Sequence, residues 1–157
     1  MKTLSIQQPH SDLIVWWDKS IENRTWRTRH RGPILIHASS RLDRDEVTEL
    51  SGDGWDILAE SPCVMSAIVG VATVLDVLDV EAIEDWIDGG DNPCSTPAAA
   101  AELERAADAG ELERYAFGPF CWLLGDRKPI PDPVPCGGKL NLWTPPPSVL
   151  RAINRQL

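Results

Sequence analysis

With 157 residues, 43% of them hydrophobic and 25% charged, the chain has the composition of one soluble globular domain with a core of its own, which excludes disorder as its default state. Its longest apolar run, around Ser66–Val74, is far too short to span a bilayer, and the opening MKTLSIQQPHSDL lacks the apolar stretch and small-residue cleavage site of a signal peptide, so no membrane contact and a cytoplasmic location are expected. The net charge of −9 disfavours a long polyanionic partner, but residues 1–44 carry eight Lys or Arg against four acids while residues 45–157 carry seven against twenty, a distribution that suits a local cleft for one or a few phosphates.

In chain order, Thr3–Ile6 predicts a short strand, and Pro9 fits the first turn of a helix reaching Trp17, with Leu13, Ile14, Trp16 and Trp17 on its apolar face. Ser20–Thr25 reads as extended, Gly32-Pro33 as a turn, and Ile34–Ala38 as a buried strand from its continuous apolar character. Leu42–Leu50 predicts a charged helix that ends in the glycine-rich turn Ser51–Gly54. Ser66–Leu78 is the longest strand candidate, with β-branched bulk from Ile68, Val69, Val71, Val74 and Val77. Glu81–Ile87 gives one or two helical turns, Gly89–Pro97 a breaker-rich link, and Ala98–Leu112 a helix of strong propensity. Phe120–Leu124 and Leu140–Trp143 are late strands, separated by a loop with proline at every second position from Pro129 to Pro135, and Ser148–Arg155 closes the chain as a helix. Short strands with interspersed helices and no βαβ alternation predict a single α+β domain over residues 1–157, built on a small curled sheet. The acidic, alanine-rich stretch at about 80–116 reads as a helical insertion on the surface.

Four cysteines (Cys63, Cys94, Cys121, Cys136) and three histidines form neither a CxxC pair nor a zinc-finger spacing, so the thiols read as free and neither a metal nor a cofactor is expected. The chemistry is concentrated between Trp16 and Ser39. On an extended strand Glu22, Arg24 and Trp26 share a face, and Lys19 stands just ahead of them. One account is a solvated face with an ion pair between Glu22 and Lys19 or Arg24, worth about 0.5 kcal/mol. The other is a recognition group, in which Arg24 forks to a phosphate or base edge, Glu22 accepts from an exocyclic amine, and Trp26 stacks a base for about 1–3 kcal/mol. Arg27, Arg29, His30 and Arg31 are either a solvated loop or an extension of that positive surface. His37 is a core histidine or a ligand contact, and Ser39, two residues on, is a possible phosphate donor. Among the seven tryptophans, Trp122 and Trp143 read as core, Trp86 as cover for the insertion and Trp16 as packed by its helix, which leaves Trp26 and Trp17 as stacking platforms.

The spacing Lys19-x-x-Glu22-x-Arg24 resembles most of the GxKxxExR signature of the ASCH (activating signal cointegrator homology) family, with Trp17 where the signature has glycine. LSIQQP at Leu4–Pro9, ENRTW at Glu22–Trp26, RGPILIHAS at Arg31–Ser39, SAIVGVATVLDV at Ser66–Val77, GPFCWLL at Gly118–Leu124 and PVPCGGKLNLW at Pro133–Trp143 are similar to that family in the same order. The resemblance implies a PUA-like β-barrel with flanking helices, whose cleft binds RNA, another single-stranded nucleic acid or a modified nucleotide. Taken with the reading of the residues themselves, the expected contacts are Lys19, Glu22, Arg24, Trp26, Arg27, Arg29, Arg31, His37 and Ser39. An alternative comes from a bacterial branch that resembles an amidohydrolase acting on N4-acetylcytidine. Its lysine corresponds to Lys19 and its threonine nucleophile falls on Glu22, so Lys19 and Glu22 would be the catalytic acid and base. A third expectation is a protein partner reached through the acidic segment 81–115.

Overall fold

A computed structural model describes residues 1–157. Its strands are β1 (Lys2–Gln8), β2 (Ile21–Arg24), β3 (Gly32–Leu42), β4 (Ala67–Asp79), β5 (Phe120–Pro135) and β6 (Leu142–Trp143). Its helices are α1 (His10–Trp16), α2 (Arg44–Gly52), α3 (Ile57–Glu60), α4 (Val80–Ile87), α5 (Pro97–Asp108), α6 (Glu111–Tyr115) and α7 (Pro147–Asn154). The strands form one sheet in the order β2-β5-β4-β3-β1-β6, with β2 and β6 at its open ends. This is the mixed α+β architecture expected from the sequence, with a PUA-like sheet that is not closed into a barrel. No helix is long and apolar enough to cross a membrane. Chain contacts divide the molecule into two units, residues 1–18, 33–72 and 127–157 in the first and residues 19–32 and 73–126 in the second.

In the first unit β1 runs parallel to β3, with Leu4 beside Ile36 and Ser5 beside His37. Leu4, Ile6, Ile34, Leu35, Ile36 and Ala38 are all buried, so the apolar run of β3 is covered on both faces. Leu35, Ile68, Val71, Ile130, Trp143 and Ile153 form a core cluster, against which Val149 and Leu150 of α7 pack. Gly70 sits inside β4 because a Cβ there would lie 2.5 Å from Val15 Cγ1 and 2.6 Å from the Lys128 carbonyl oxygen.

Three expectations for this unit are corrected. Helix α1 buries Leu13, Ile14 and Val15, which leaves Trp16 50% exposed rather than packed by its helix. Pro9 occupies the N-cap position rather than the first turn. The proline-spaced segment is strand, because β5 continues through Pro135. The Leu124 N–H points to Ser20 O, whereas the Cys136 N–H points to Ser66 O, the residue before β4. Within this strand Asp126 takes the left-handed conformation, at φ 46°. The N–H groups this segment uses are those of Asp132, to Gln156 Oε1 at 2.8 Å, and of Cys136, so the odd-numbered prolines remove neither donor. The short helix α3, capped by Asp56 accepting from Ala59 N, has no counterpart in the sequence reading.

In the second unit β2 pairs antiparallel with β5, with Glu22 opposite Trp122 and Arg24 opposite Phe120. The single helix expected over Ala98–Leu112 is two helices, since Gly110 at φ 71° stops the first and α6 restarts at Glu111. Thr96 Oγ1 accepts from Ala99 N at 3.2 Å and Pro97 opens the first turn, so α5 begins with strong local signals. Its Ala99, Leu103 and Ala106 lie on one face at helical spacing and are fully buried. The stretch read as a surface insertion thus contributes core.

Candidate functional site

Of the residues singled out in the sequence, Lys19, Glu22 and Arg24 come together as one ion-paired cluster in the second unit. Lys19 Nζ donates to Glu22 Oε2 at 3.1 Å and to the Ile21 carbonyl, and Arg24 Nη2 meets Glu22 Oε1 at 3.0 Å. Glu22 therefore bridges two cations, where the sequence left the choice between them open. The cluster is not a solvated face, because Lys19 is only 4% and Glu22 8% exposed. Charges so far from water persist only when paired and hydrogen-bonded. The ammonium also lies 4.8 Å from the centroid of the Tyr115 ring, whose π-face complements it. Trp17, at φ −127°, has no need of the signature's glycine; the left-handed residue is Asp18, at φ 58°. The Trp17 ring packs edge-on to Trp55 at 5.2 Å.

Helices α5 and α6 hold this cluster from a long way off in sequence. Glu111 Oε2 accepts from Ser20 N at 2.7 Å and from Ser20 Oγ at 3.0 Å. Arg105 Nη2 donates to Glu111 Oε1 at 2.6 Å and to Ser20 Oγ at 2.9 Å, while its Nε donates to Glu102 Oε1 at 2.8 Å. Asn23 donates to the Tyr115 carbonyl and accepts from Gly118 N at 2.8 Å. Two acids of the segment expected to face a protein partner, Glu102 and Glu111, are turned inward on Arg105 and Ser20. Cys121, buried beside Asn23, is silent as a nucleophile, since burial pushes its thiol up to about 11.

Past Arg24 the β2 ladder stops, and residues 25–31 run as irregular chain. Strand alternation therefore does not set the direction of Trp26. Its ring meets Trp122 edge-on at 4.7 Å, and its carbonyl accepts from Trp122 Nε1 at 3.3 Å. Arg27, Thr28, Arg29 and Arg31 line a groove of about 580 Å³. Arg27 pairs with Asp79 and lies 4.8 Å from the Phe120 ring. Arg31 donates to Asp76 Oδ1 at 2.7 Å and to the carbonyls of Thr28 and His30 at 3.1 and 3.0 Å. Burial pushes the Asp76 carboxyl up, but donors from Ser95 N, Ser95 Oγ, Val77 N and Arg31 outweigh it and hold the group below the usual range. Asp76 is thus a fixed anion behind Arg31. Arg29 is exposed and has no partner in the chain.

His37 and Ser39 belong to β3, in the first unit. His37 is 1% exposed, donates from Nε2 to the Cys136 carbonyl at 3.0 Å, and meets Trp143 edge-on at 5.5 Å. Burial, only partly opposed by that hydrogen bond, lowers its pKa below 6.5, so the ring is neutral. This is the geometry of a core histidine. Ser39 Oγ accepts from Arg41 N at 3.2 Å. No three His, Cys, Asp or Glu side chains converge to hold a metal ion.

Sequence reasoning missed Glu111, Arg105, Tyr115, Asp76, Asp79 and Thr28. Asp76 had a readable signal, an acid within the apolar run Val74–Leu78, and Thr28 lay inside the basic run. The others are fixed only by tertiary structure. The family model of the ASCH domain matches residues 4–113, a span that holds every candidate residue named in the sequence but ends before Gly118–Leu124 and Pro133–Trp143. No curated protein matches the chain.

Proposed function

The chain belongs to the ASCH domain family, whose PUA-like domains generally bind RNA, and from that premise we propose that it binds single-stranded RNA or a nucleotide through the groove of Arg27, Thr28, Arg29 and Arg31. The observation that carries the reading is Arg29, an unpaired guanidinium in a concave site between two arginines already fixed in place. A planar fork of this kind suits a phosphate. Lys19, Glu22 and Arg24 serve behind it, as the buried knot that ends β2 and starts the loop. Trp26 is the aromatic neighbour available for stacking, and the setting is the cytoplasm, where the four free thiols fit a reducing compartment. His37 is left out of the contact set because its ring is buried.

The test is Arg29→Ala with a fluorescent single-stranded RNA followed by anisotropy. An exposed charge contact of about 1 kcal/mol corresponds to a roughly fivefold weaker Kd. Melting should be unchanged, since Arg29 supports nothing else. Equal binding by the variant removes the groove from the reading.

A second reading, hydrolysis of an N4-acylated cytidine with Lys19 and Glu22 as acid and base, draws on their 3.1 Å contact. Weighing against it, the Lys19 ammonium already donates to Ile21 and Glu22 and is closed off from solvent. N4-acetylcytidine recovered intact by chromatography after incubation refutes it.

A further inference from the structure

The groove contains three guanidiniums, and two of them are matched by carboxylates of β4. Arg27 faces Asp79, and Arg31 faces Asp76, an anion that four donors keep ionised. One unit of positive charge, that of Arg29, is uncompensated. Beside it Thr28 Oγ1 accepts from His30 N at 3.0 Å, which leaves the hydroxyl proton free to point at an oxygen in the groove. A volume of about 580 Å³ lies within the roughly 300–1,000 Å³ usual for small-molecule sites. The chain as a whole carries a net charge of −9, although residues 1–44, which include the groove, hold eight cations against four acids. Within the groove itself a second phosphate would find only the guanidiniums already paired to Asp79 and Asp76.

Resting on the nucleotide-binding reading above, we propose that the groove takes one phosphate group, with Arg29 and the Thr28 hydroxyl as its donors, and not a run of backbone phosphates. Arg27 and Arg31 set the walls, braced by Asp79 and Asp76. The ligand class is a nucleoside monophosphate or a single nucleotide of a strand. Any sequence or base preference then comes from contacts to that one unit.

Salt dependence measures this directly, because each phosphate contact on a single strand contributes about −0.7 to the slope of log K against log salt. The full chain is titrated over a salt series with the four ribonucleosides, their 5′-monophosphates and single-stranded RNAs of increasing length. The expected result is a slope of about −0.7 for RNAs of every length, a shallower negative slope for the monophosphates, which carry no condensed counterions to release, and a slope near zero for the nucleosides. Arg29→Ala should bring the monophosphate slope down to the nucleoside value. An RNA slope that steepens with length, to about −2 for three contacts, overturns the single-phosphate site while leaving RNA binding intact. If neither monophosphates nor RNA bind, the functional reading falls together with this one. Binding of RNA with an unchanged slope in Arg29→Ala assigns the phosphate elsewhere and refutes the assignment to Arg29.

Discussion

Glu111→Ala is expected to destabilise the protein by about 2–3 kcal/mol, although the residue lies in a helix of only five residues with an acidic, surface-like sequence. Ser20 is fully buried, and its backbone N–H and hydroxyl both meet one Glu111 oxygen, at 2.7 and 3.0 Å. Alanine leaves the buried N–H without an acceptor, a cost of about 1–3 kcal/mol. The ion pair to Arg105 adds less, because that side chain is 38% exposed and water can take over; about 0.5 kcal/mol is appropriate. Glu111→Gln keeps an acceptor for Ser20 and should cost about 1 kcal/mol. Urea denaturation of the three proteins gives the comparison, with an unchanged m-value showing that the unfolded reference is the same. A loss of about 2–3 kcal/mol corresponds to a melting shift on the order of 5–10 °C for a chain of this size. An alanine variant within about 0.5 kcal/mol of the parent, or a glutamine variant as damaged as alanine, would refute the reasoning.

Two other outcomes follow from the first unit. The His37 pKa is lowered by burial, so the unfolded chain takes up that proton more readily than the folded one; stability present above about pH 6.5 is lost as the pH falls towards the folded value. Denaturation midpoints should therefore drop between about pH 7 and pH 5, and His37→Gln should flatten that drop; an equal pH slope in both proteins contradicts the linkage. Gly70→Ala places a Cβ 2.6 Å from the Lys128 carbonyl oxygen, a backbone atom that cannot swing aside, and should cost about 3 kcal/mol, while Gly137→Ala, with nothing within 4 Å, should be nearly neutral. Similar melting temperatures for the two alanine variants would show that the close approach at Gly70 is not limiting.

How much the sequence disclosed depended on the range over which each signal acts. β3 and β4 were legible because covered strands read as unbroken apolar, β-branched runs, and α7 because Pro147 and an amphipathic pattern act within two turns. The far end of β5 was hidden by its prolines. Proline is a reliable breaker only where its N–H is needed, and the donors this segment uses belong to the even-numbered Asp132 and Cys136. For α1 two of the four residues expected on the apolar face, Leu13 and Ile14, are buried, whereas Val15 takes part in the core and Trp16 does not. At the site, Lys19, Glu22 and Arg24 were legible because they are three and two residues apart. The groove's arginines were visible as a basic run, but the acids that brace them were not, apart from Asp76. Glu111 acts on Ser20 across 91 residues, a pairing that no local pattern contains.

The division between the buried cluster and the exposed groove bears on what the family signature means in this chain. A cation that greets a ligand must exchange water for ligand oxygens, and its value depends on having donors still directed at water. Lys19 has given its donors to Glu22 and Ile21 and turned its remaining charge to the Tyr115 ring, so that exchange took place during folding. Removing Glu22 would strand an ammonium away from water, a penalty paid in stability whether or not a ligand is present. On the function proposed above, the Lys-x-x-Glu-x-Arg spacing serves architecture, clasping β2, from whose end residues 25–31 depart. Arg29, five residues beyond the signature's arginine, has the opposite properties, being exposed and unpaired. If the signature is the frame and the following loop the contact, substitutions at Glu22 should be read out first in denaturation and those at Arg29 only in binding.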